Sequence, residues 1–286
     1  MLGAVGIVLV FVLVFGGYLA SGGKMEIILK ALPYELTMIG GAAVGAFLIS
    51  NSGDIVKHTL HDIKKVFKGS KWSKDDFTNA LCLLSELVKL YRNSPVELEP
   101  HLEDPSSSNI FQKYDKVACD QKFIDLICDT FRSATLNFDE PTQVEDLIDK
   151  RLNNQTKSSL HSSHALQTMA DGLPALGIVA AVLGVIKTMA SIDQPPEILG
   201  KMIGGALVGT FLGVFLAYGV VGPFATRLKS IAEEESEFYF AMREVVIACL
   251  QNHPPQLCLE AGRQYISEHH RPSFTELEDA LRSGVA

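Results

Sequence analysis

The chain has 286 residues, 20% of them charged, with a net charge of -8 and a mean hydropathy of +0.19. The acidic balance excludes a nucleic-acid binder, which needs a concentrated basic surface against phosphates. Positive hydropathy beside this many charges lies between a soluble enzyme and a bare membrane bundle, and predicts apolar spans joined to a polar lobe.

Met1 to Gly23 carries no charged residue and is dense in Leu, Val and Phe from Val8 to Phe15. It lacks the basic start of a signal peptide and its apolar core is too long for one, so it reads as a retained span over about 1–21. A second uncharged stretch, Leu36 to Gly53, is entered through Pro33 and Glu35 and predicts a span over about 34–52. Its centre, Gly40 to Ala46, is almost all small, with Gly41/Gly45 and Ala42/Ala46 four apart, so a neighbouring backbone can come close. Residues 1–53 are thus the first membrane unit.

Residues 54–171 change to charged, amphipathic helices. Ile55, Val56, Leu60 and Ile63 recur at helical spacing, as do Phe77, Leu81, Leu84, Leu87 and Val88. Pro95, Pro100, Pro105 and three serines predict a loop over Asn93 to Ser108. Phe123 to Phe131 and Val144 to Leu152 read as further helices. Two apolar runs follow, Gly172 to Ile192 and Met202 to Thr226, predicting spans over about 172–192 and 202–223 within a second membrane unit, 172–226. The nine residues Asp193 to Lys201 allow a tight return, so the pair reads as a hairpin. In the last unit, 227–286, an amphipathic helix runs to Leu250, Asn252-His253-Pro254-Pro255 breaks it, and a helix over Gln256 to Ser267 precedes a short acidic tail. The fold class is all-α: four spans, a large helical cytoplasmic domain between the second and third, and a cytoplasmic helical extension.

Orientation follows from the basic residues. Of 25 Lys and Arg, 15 lie between Asp54 and Asp171 and six follow Pro223, many close to span ends. The positive-inside rule puts both polar segments and both termini in the cytoplasm. Pro174 and Pro223 then share the cytoplasmic face. Pro174 fits the first turn of a span, where proline is tolerated, or the interior of a continuing helix, where it kinks; paired with Pro223 it predicts a hinge.

The hairpin carries two stripes of small residues, Gly205, Gly209, Gly213 and Ala217 on one helix and Gly177, Ala181, Gly184 and Thr188 on the other. They pack within one bundle or against other copies or a partner helix. No Asp, Glu or His falls in the middle of a predicted span; Glu35 and Lys187 sit near ends, where they snorkel. Proton relays through membranes need ionisable carriers, so a carrier must come from another polypeptide. Thr210, a lone hydroxyl, faces such a carrier or bonds its own helix carbonyl. The five cysteines are far apart, without CxxC, and read as free core thiols. His161 and His164 lack further metal ligands. No phosphate loop, nucleophile triad or paired carboxylates appear, so neither an enzyme, a cofactor nor a metal is expected.

Asp171-Gly-Leu-Pro-Ala-Leu-Gly-Ile-Val-Ala-Ala-Val-Leu-Gly-Val-Ile186, Val208-Gly-Thr-Phe-Leu-Gly213 and Leu216-Ala-Tyr-Gly219 resemble the MotA flagellar stator family, of the wider MotA/TolQ/ExbB group. Phe15-Gly-Gly-Tyr-Leu19, Glu103-Asp-Pro105 and Arg271-Pro-Ser-Phe-Thr-Glu-Leu-Glu278 extend the resemblance over essentially the whole chain. It implies an inner-membrane ring of five copies around a MotB dimer, whose aspartate carries the ion and supplies the missing acid. It also implies that Pro174 and Pro223 couple ion passage to the lobe and that Thr210 lies by the ion route. Arg92 and Glu99 would contact the rotor protein FliG, Arg92 with one residue of slippage. The transported ion would be a proton or sodium, the whole-chain match lying with the proton branch. Two rivals stand beside this reading: an ExbB/TolQ-type energiser, which normally has three spans, and a passive scaffold, which would not need paired prolines.

Overall fold

The computed structural model describes residues 2–137 and 141–283. Met1 of the first predicted span, 138–140 of the predicted cytoplasmic domain and the last three tail residues lie outside them. Every regular element among the described residues is helical, and four helices are long and apolar enough to cross a membrane. The all-α, four-span class expected from hydropathy is therefore what the chain adopts.

The described chain divides into two compact units, residues 1–69 with 159–231 and residues 70–158 with 232–286. In the first, α1 (Leu2–Ala20) turns into α2 (Met25–Ser50) through Ser21 and two glycines. Gly22 adopts a φ of +84°, a left-handed conformation that a side chain would strain. Helix α2 begins nine residues before the predicted span of 34–52, because Glu26 and Lys30 interrupt the apolar run without breaking the helix. Pro33 lies inside it and removes one backbone donor, and a π-helical turn follows at Leu36–Gly40. Short helices α3 (Gly53–Asp62), capped by Ser52, and α4 (Lys65–Lys68) close this stretch.

The second unit has a continuous apolar core. Helix α5 (Lys74–Asn93) buries Phe77, Leu81, Leu84, Leu87 and Val88, the stripe read from the sequence. Trp72 stacks on Phe238 with centroids 3.9 Å apart, and Phe77 meets the same ring edge-on at 5.3 Å. The predicted loop at 93–108 is instead largely helix α6 (Pro95–Glu103). Pro95 occupies its first turn, where no donor is needed, and Pro100 costs one internal bond, offset by burial of Leu98 and Leu102. A 3₁₀ turn at Phe111–Tyr114, then α7 (Asp115–Ala118) and α8 (Gln121–Asn137), complete this side.

Two long helices belong to both units: α9 (Pro141–Met189) and α10 (Pro196–Leu250), the latter with a π turn at Ala217–Val221. After α10 come α11 (Pro255–Tyr265) and α12 (Phe274–Ser283). The acidic tail is thus largely a helix. Ser273 and Glu276 start it by exchanging bonds with each other's backbone N–H, a capping box. Lys74 and the Ser273 N–H hold the Glu276 carboxyl down at about 2.

A second capping box starts α5, where Asp76 accepts from the Ser73 N–H at 2.8 Å and from its hydroxyl at 2.7 Å, with Lys116 alongside. Burial raises the Asp76 carboxyl pKa, but Lys116 and Ser73 outweigh burial and leave it lowered. A lowered native pKa stabilises the fold above the unfolded aspartate's pKa, about 3.9, and the gain is lost as pH falls through the native value. Asp76→Ala should cost about 1–2 kcal/mol at neutral pH and have a smaller effect under acid conditions. The fluorescence of Trp72, the chain's one tryptophan, reads this unit during denaturant unfolding.

Candidate functional site

The two hairpin helices touch backbone to backbone. A Cβ added to Gly213 would lie 2.6 Å from the Leu173 carbonyl oxygen and 2.9 Å from the Gly177 Cα. One on Gly177 would lie 2.8 Å from the Gly209 carbonyl, and one on Gly184 would lie 2.6 Å from the Ala206 Cβ. Small residues are what allow this approach, because helix association in lipid rests on close packing. The α10 stripe divides between two neighbours. Residues four apart drift by roughly 40° per step around a helix of 3.6 residues per turn. Gly205 accordingly faces Ala31 of α2, Gly209 meets both α2 and Ala180 of α9, and the atoms nearest Gly213 belong to α9. Ala206, which is not in the stripe, lies beside Gly184, while Ala181 is half-buried and Ala217 is buried. Phe11 and Phe15 of α1 close the outer side of α10, with ring centroids 5.0 and 5.5 Å from Phe215.

Both prolines lie inside continuing helices. Pro174 is the thirty-fourth residue of the 49-residue α9. Pro223 follows the π turn after one residue, its cap Gly222, whose N–H reaches back to the Ala217 carbonyl. That wide turn precedes the residue that brings no donor. The prolines are not level, however. Pro223 shares a surface hollow of about 520 Å³ with Gln167, which is seven residues before Pro174. At about 1.5 Å per residue the two prolines are offset by roughly 10 Å along the helix pair. The two prolines, read from the sequence as sharing one face, thus stand as two steps along one seam.

Glu35 departs furthest from expectation. It is the eleventh residue of α2, only 5% exposed, and does not snorkel. Its Oε2 lies where a Cβ on Gly209 would be 2.6 Å away, and that oxygen is buried without a hydrogen-bond partner among the described residues. Beside it a cavity of about 930 Å³ opens between α2, α9 and α10. The helix extends back to Met25, so Glu35 stands eleven residues into a 26-residue candidate span rather than at its first turn. Thr210 follows Gly209, is half-buried, and forms no hydrogen bond among the described residues, so its hydroxyl is not tied to its own helix.

In the second unit Glu99 is exposed on α6, whereas Arg92, in the last turn of α5, is half-buried. The Arg92 guanidinium lies by the buried pair Cys249 and Cys258, and its Nε has no partner among the described residues. The Cys249 thiol hydrogen-bonds Cys258, so Cys258 is shifted down, with Arg92 adding to the effect, and Cys249 up. Arg92 also lines a hollow with Tyr91, Pro95 and Asn252. No ion pair joins Arg92 to Glu99 among the described residues. Sequence reasoning does not single out Arg243, which gathers Glu145, Asp149 and Glu244; the only available signal is an arginine within an otherwise apolar stripe.

Two family models match the chain: Motility protein A N-terminal over residues 4–95, and the MotA/TolQ/ExbB proton channel family over residues 123–239. Motility protein A of Salmonella typhimurium is 35% identical over 284 residues, 99% of this chain and 96% of the relative. The Escherichia coli protein of that name gives the same figures. Chemotaxis protein LafT of Vibrio parahaemolyticus is 31% identical over 96% of both chains. The flagellar MotAB stator complex of Bacillus subtilis shares the fold at a TM-score of 0.75 and 21% identity, over 96% of this chain and 100% of that one. The C. jejuni MotAB structure does so at 0.75 and 17%, over 95% and 98%. Four spans, a glycine-packed hairpin and full-length identity to these relatives lead to one conclusion: the chain belongs to the motility protein A family, the stator branch of the MotA/TolQ/ExbB proton channel family.

Proposed function

We propose that this motility protein A works as a ring of copies, five around two MotB chains, in the bacterial inner membrane with both termini cytoplasmic. A MotB aspartate carries the ion, a proton, past Thr210, and the α9–α10 hairpin answers each change of charge there. The unpaired Thr210 hydroxyl supports a position on that route. Residues 54–171 and 227–286 form the cytoplasmic part, consistent with their share of the basic residues. Glu99, exposed on α6, offers a charge to FliG; Arg92 acts from its hollow with Tyr91, Pro95 and Asn252.

The observation that carries this reading is the continuity of α9 and α10. Each runs unbroken from its apolar half, through its proline, into a polar half. A movement at the ion site has a helical path to the lobe without an intervening loop. The π turn before Pro223 supplies the compliant point on that path. An ExbB/TolQ-type energiser would share the hairpin, but four candidate spans and full-length identity to motility proteins favour the stator.

Complementation tests it. In a strain lacking this protein, the wild type should restore swimming only when MotB is present. Pro174→Ala and Pro223→Ala, inserted at wild-type level, should reduce swimming speed several-fold. Full speed from both inserted variants would remove the coupling role from the prolines. No swimming with any form, wild type included, would favour the energiser reading.

A further inference from the structure

We propose that Glu35 is a protonation site of this chain's own, supplied with protons from water in the cavity between α2, α9 and α10. The role it would serve rests on the stator reading; the site itself does not.

Three observations converge on it. The Glu35 side chain is buried, and Oε2 has neither a hydrogen-bond partner among the described residues nor solvent contact. A carboxylate left ionised in such a place is poorly compensated, whereas a proton on that oxygen removes the charge where it stands. Gly209 is shaped to receive the group: any Cβ there would collide with Oε2 at 2.6 Å and press Ala180 at 3.2 Å. Thus the glycine serves the acid as well as the helix pair. The third observation is access, since Glu35 lines the cavity of about 930 Å³, whose wall reaches Lys24 in the α1–α2 turn.

The charged groups around that cavity are Lys24, Glu26 and Lys30 from the α1–α2 side, Lys187 from α9, and Glu197 and Lys201 from α10. Tyr34 adds a phenol. Lys30 is committed to Glu26 at 2.6 Å, and no lysine forms an ion pair with Glu35 among the described residues. The lysines therefore ring the cavity without neutralising the acid. The chemistry also selects the ligand. A proton needs a single oxygen, whereas a metal cation takes several, and one oxygen is unpaired here.

The step is a simple transfer: hydronium or water in the cavity gives a proton to a carboxylate oxygen of Glu35, and the proton returns by the same route. Its consequence is local. Glu35 is wedged between α2 and Gly209, so gaining or losing charge there changes how closely α2 lies on α10, one residue from Thr210. The acidity on the cavity side would thereby tune the ion site.

Infrared difference spectra of the full-length chain in lipid nanodiscs, recorded across a pH titration, test this. The wild type should show a carbonyl stretch of a protonated carboxyl in an apolar setting that titrates and shifts in D2O. Glu35→Gln should lose that band, and Gly209→Ala should shift it by crowding the oxygen. An identical titrating band in Glu35→Gln, or no such band in the wild type, would overturn the proposal. Should Glu35→Gln fail to accumulate, Glu35→Asp serves instead: a displaced band supports the site and an unmoved one overturns it. Swimming of the complemented wild type is scored separately, so a failed stator reading and a failed protonation site give different results.

Discussion

Gly213→Ala should separate helices α9 and α10 and remove most of the detergent-resistant folded protein and most of the swimming, while Gly205→Ala leaves both near wild type. The contrast comes from geometry at two glycines of one four-residue stripe that meet different neighbours. At position 213 the new methyl would lie 2.6 Å from a backbone carbonyl oxygen and 2.9 Å from a backbone Cα. Neither atom can rotate away, so the helices themselves must move. At position 205 the nearest obstacle is the Ala31 Cβ at 4.0 Å, ordinary contact. Overpacking of a tight interior costs about 1–3 kcal/mol. The upper part of that range applies here, because the displaced neighbour is a whole helix and the close approaches at Gly177 and Gly184 open with it. In lipid no hydrophobic term between helices makes up for looser packing along the seam. Alanine favours a helix over glycine by about 1 kcal/mol, so Gly205→Ala should even gain slightly. Thermal aggregation in detergent and swimming speed in the complemented strain measure both variants. Equal behaviour of the two would show that the seam is looser than the structure places it.

The same seam shows what periodicity conveys and what it leaves out. Spacing of four marks Gly205, Gly209, Gly213 and Ala217 as one packing face, and the small residues do pack. It does not say which neighbour each one meets, because a four-residue step drifts around the helix, and three helices surround α10. Only the positions of α2 and α9 separate Gly205 from Ala206. Hydropathy likewise locates four spans but misses the start of α2, since a window that rejects charge stops at Glu35. A helix does not end where its hydropathy falls; it ends where its hydrogen bonds do, here at Met25. Burial of Glu35 is consequently out of reach of the sequence, depending on a glycine some 170 residues away in the chain.

Local chemistry is legible in some places and hidden in others. The Ser-Phe-Thr-Glu run at 273–276 is a capping box written in the sequence, yet it sits in a stretch whose acidic character suggests a tail. Pro95 marks a first helical turn as readily as a loop, and burial of Leu98 and Leu102 decides between them. The prolines of the hairpin lie within continuing helices, as the polar flanks suggest, while their offset depends on the pairing register, which no single sequence states. Resemblance alone points to Arg92; that it lies against two buried cysteines is a property of the packed unit.

Arg243→Met should lower the stability of the second unit by about 2–3 kcal/mol. Breaking a fully buried ion pair by removing one partner costs about 3–5 kcal/mol; the partners here keep 30–38% exposure, so screening by solvent reduces the figure. Arg243 is itself 10% exposed and is reached by carboxylates from two helices. Its Nη2 donates to Glu145 at 2.7 Å and to Asp149 at 2.9 Å, and its Nη1 donates to Glu244 at 2.5 Å. Without the guanidinium, three acids face one another across α9 and α10 with no cation between them. Methionine fills the volume of the stem, so the loss measures charge and hydrogen bonds rather than a cavity. Lysine keeps the charge but presents no planar fork, and Arg243→Lys should recover only part of the loss. Adding Glu145→Gln to Arg243→Met removes one of the repelling acids and should restore a further part. Denaturant unfolding followed by Trp72, whose ring stacks on Phe238 of the helix that carries Arg243, reads the unit directly. If Arg243→Met unfolds at the wild-type midpoint, the cluster is a solvated surface arrangement and the join between the polar halves of α9 and α10 rests on its apolar contacts alone.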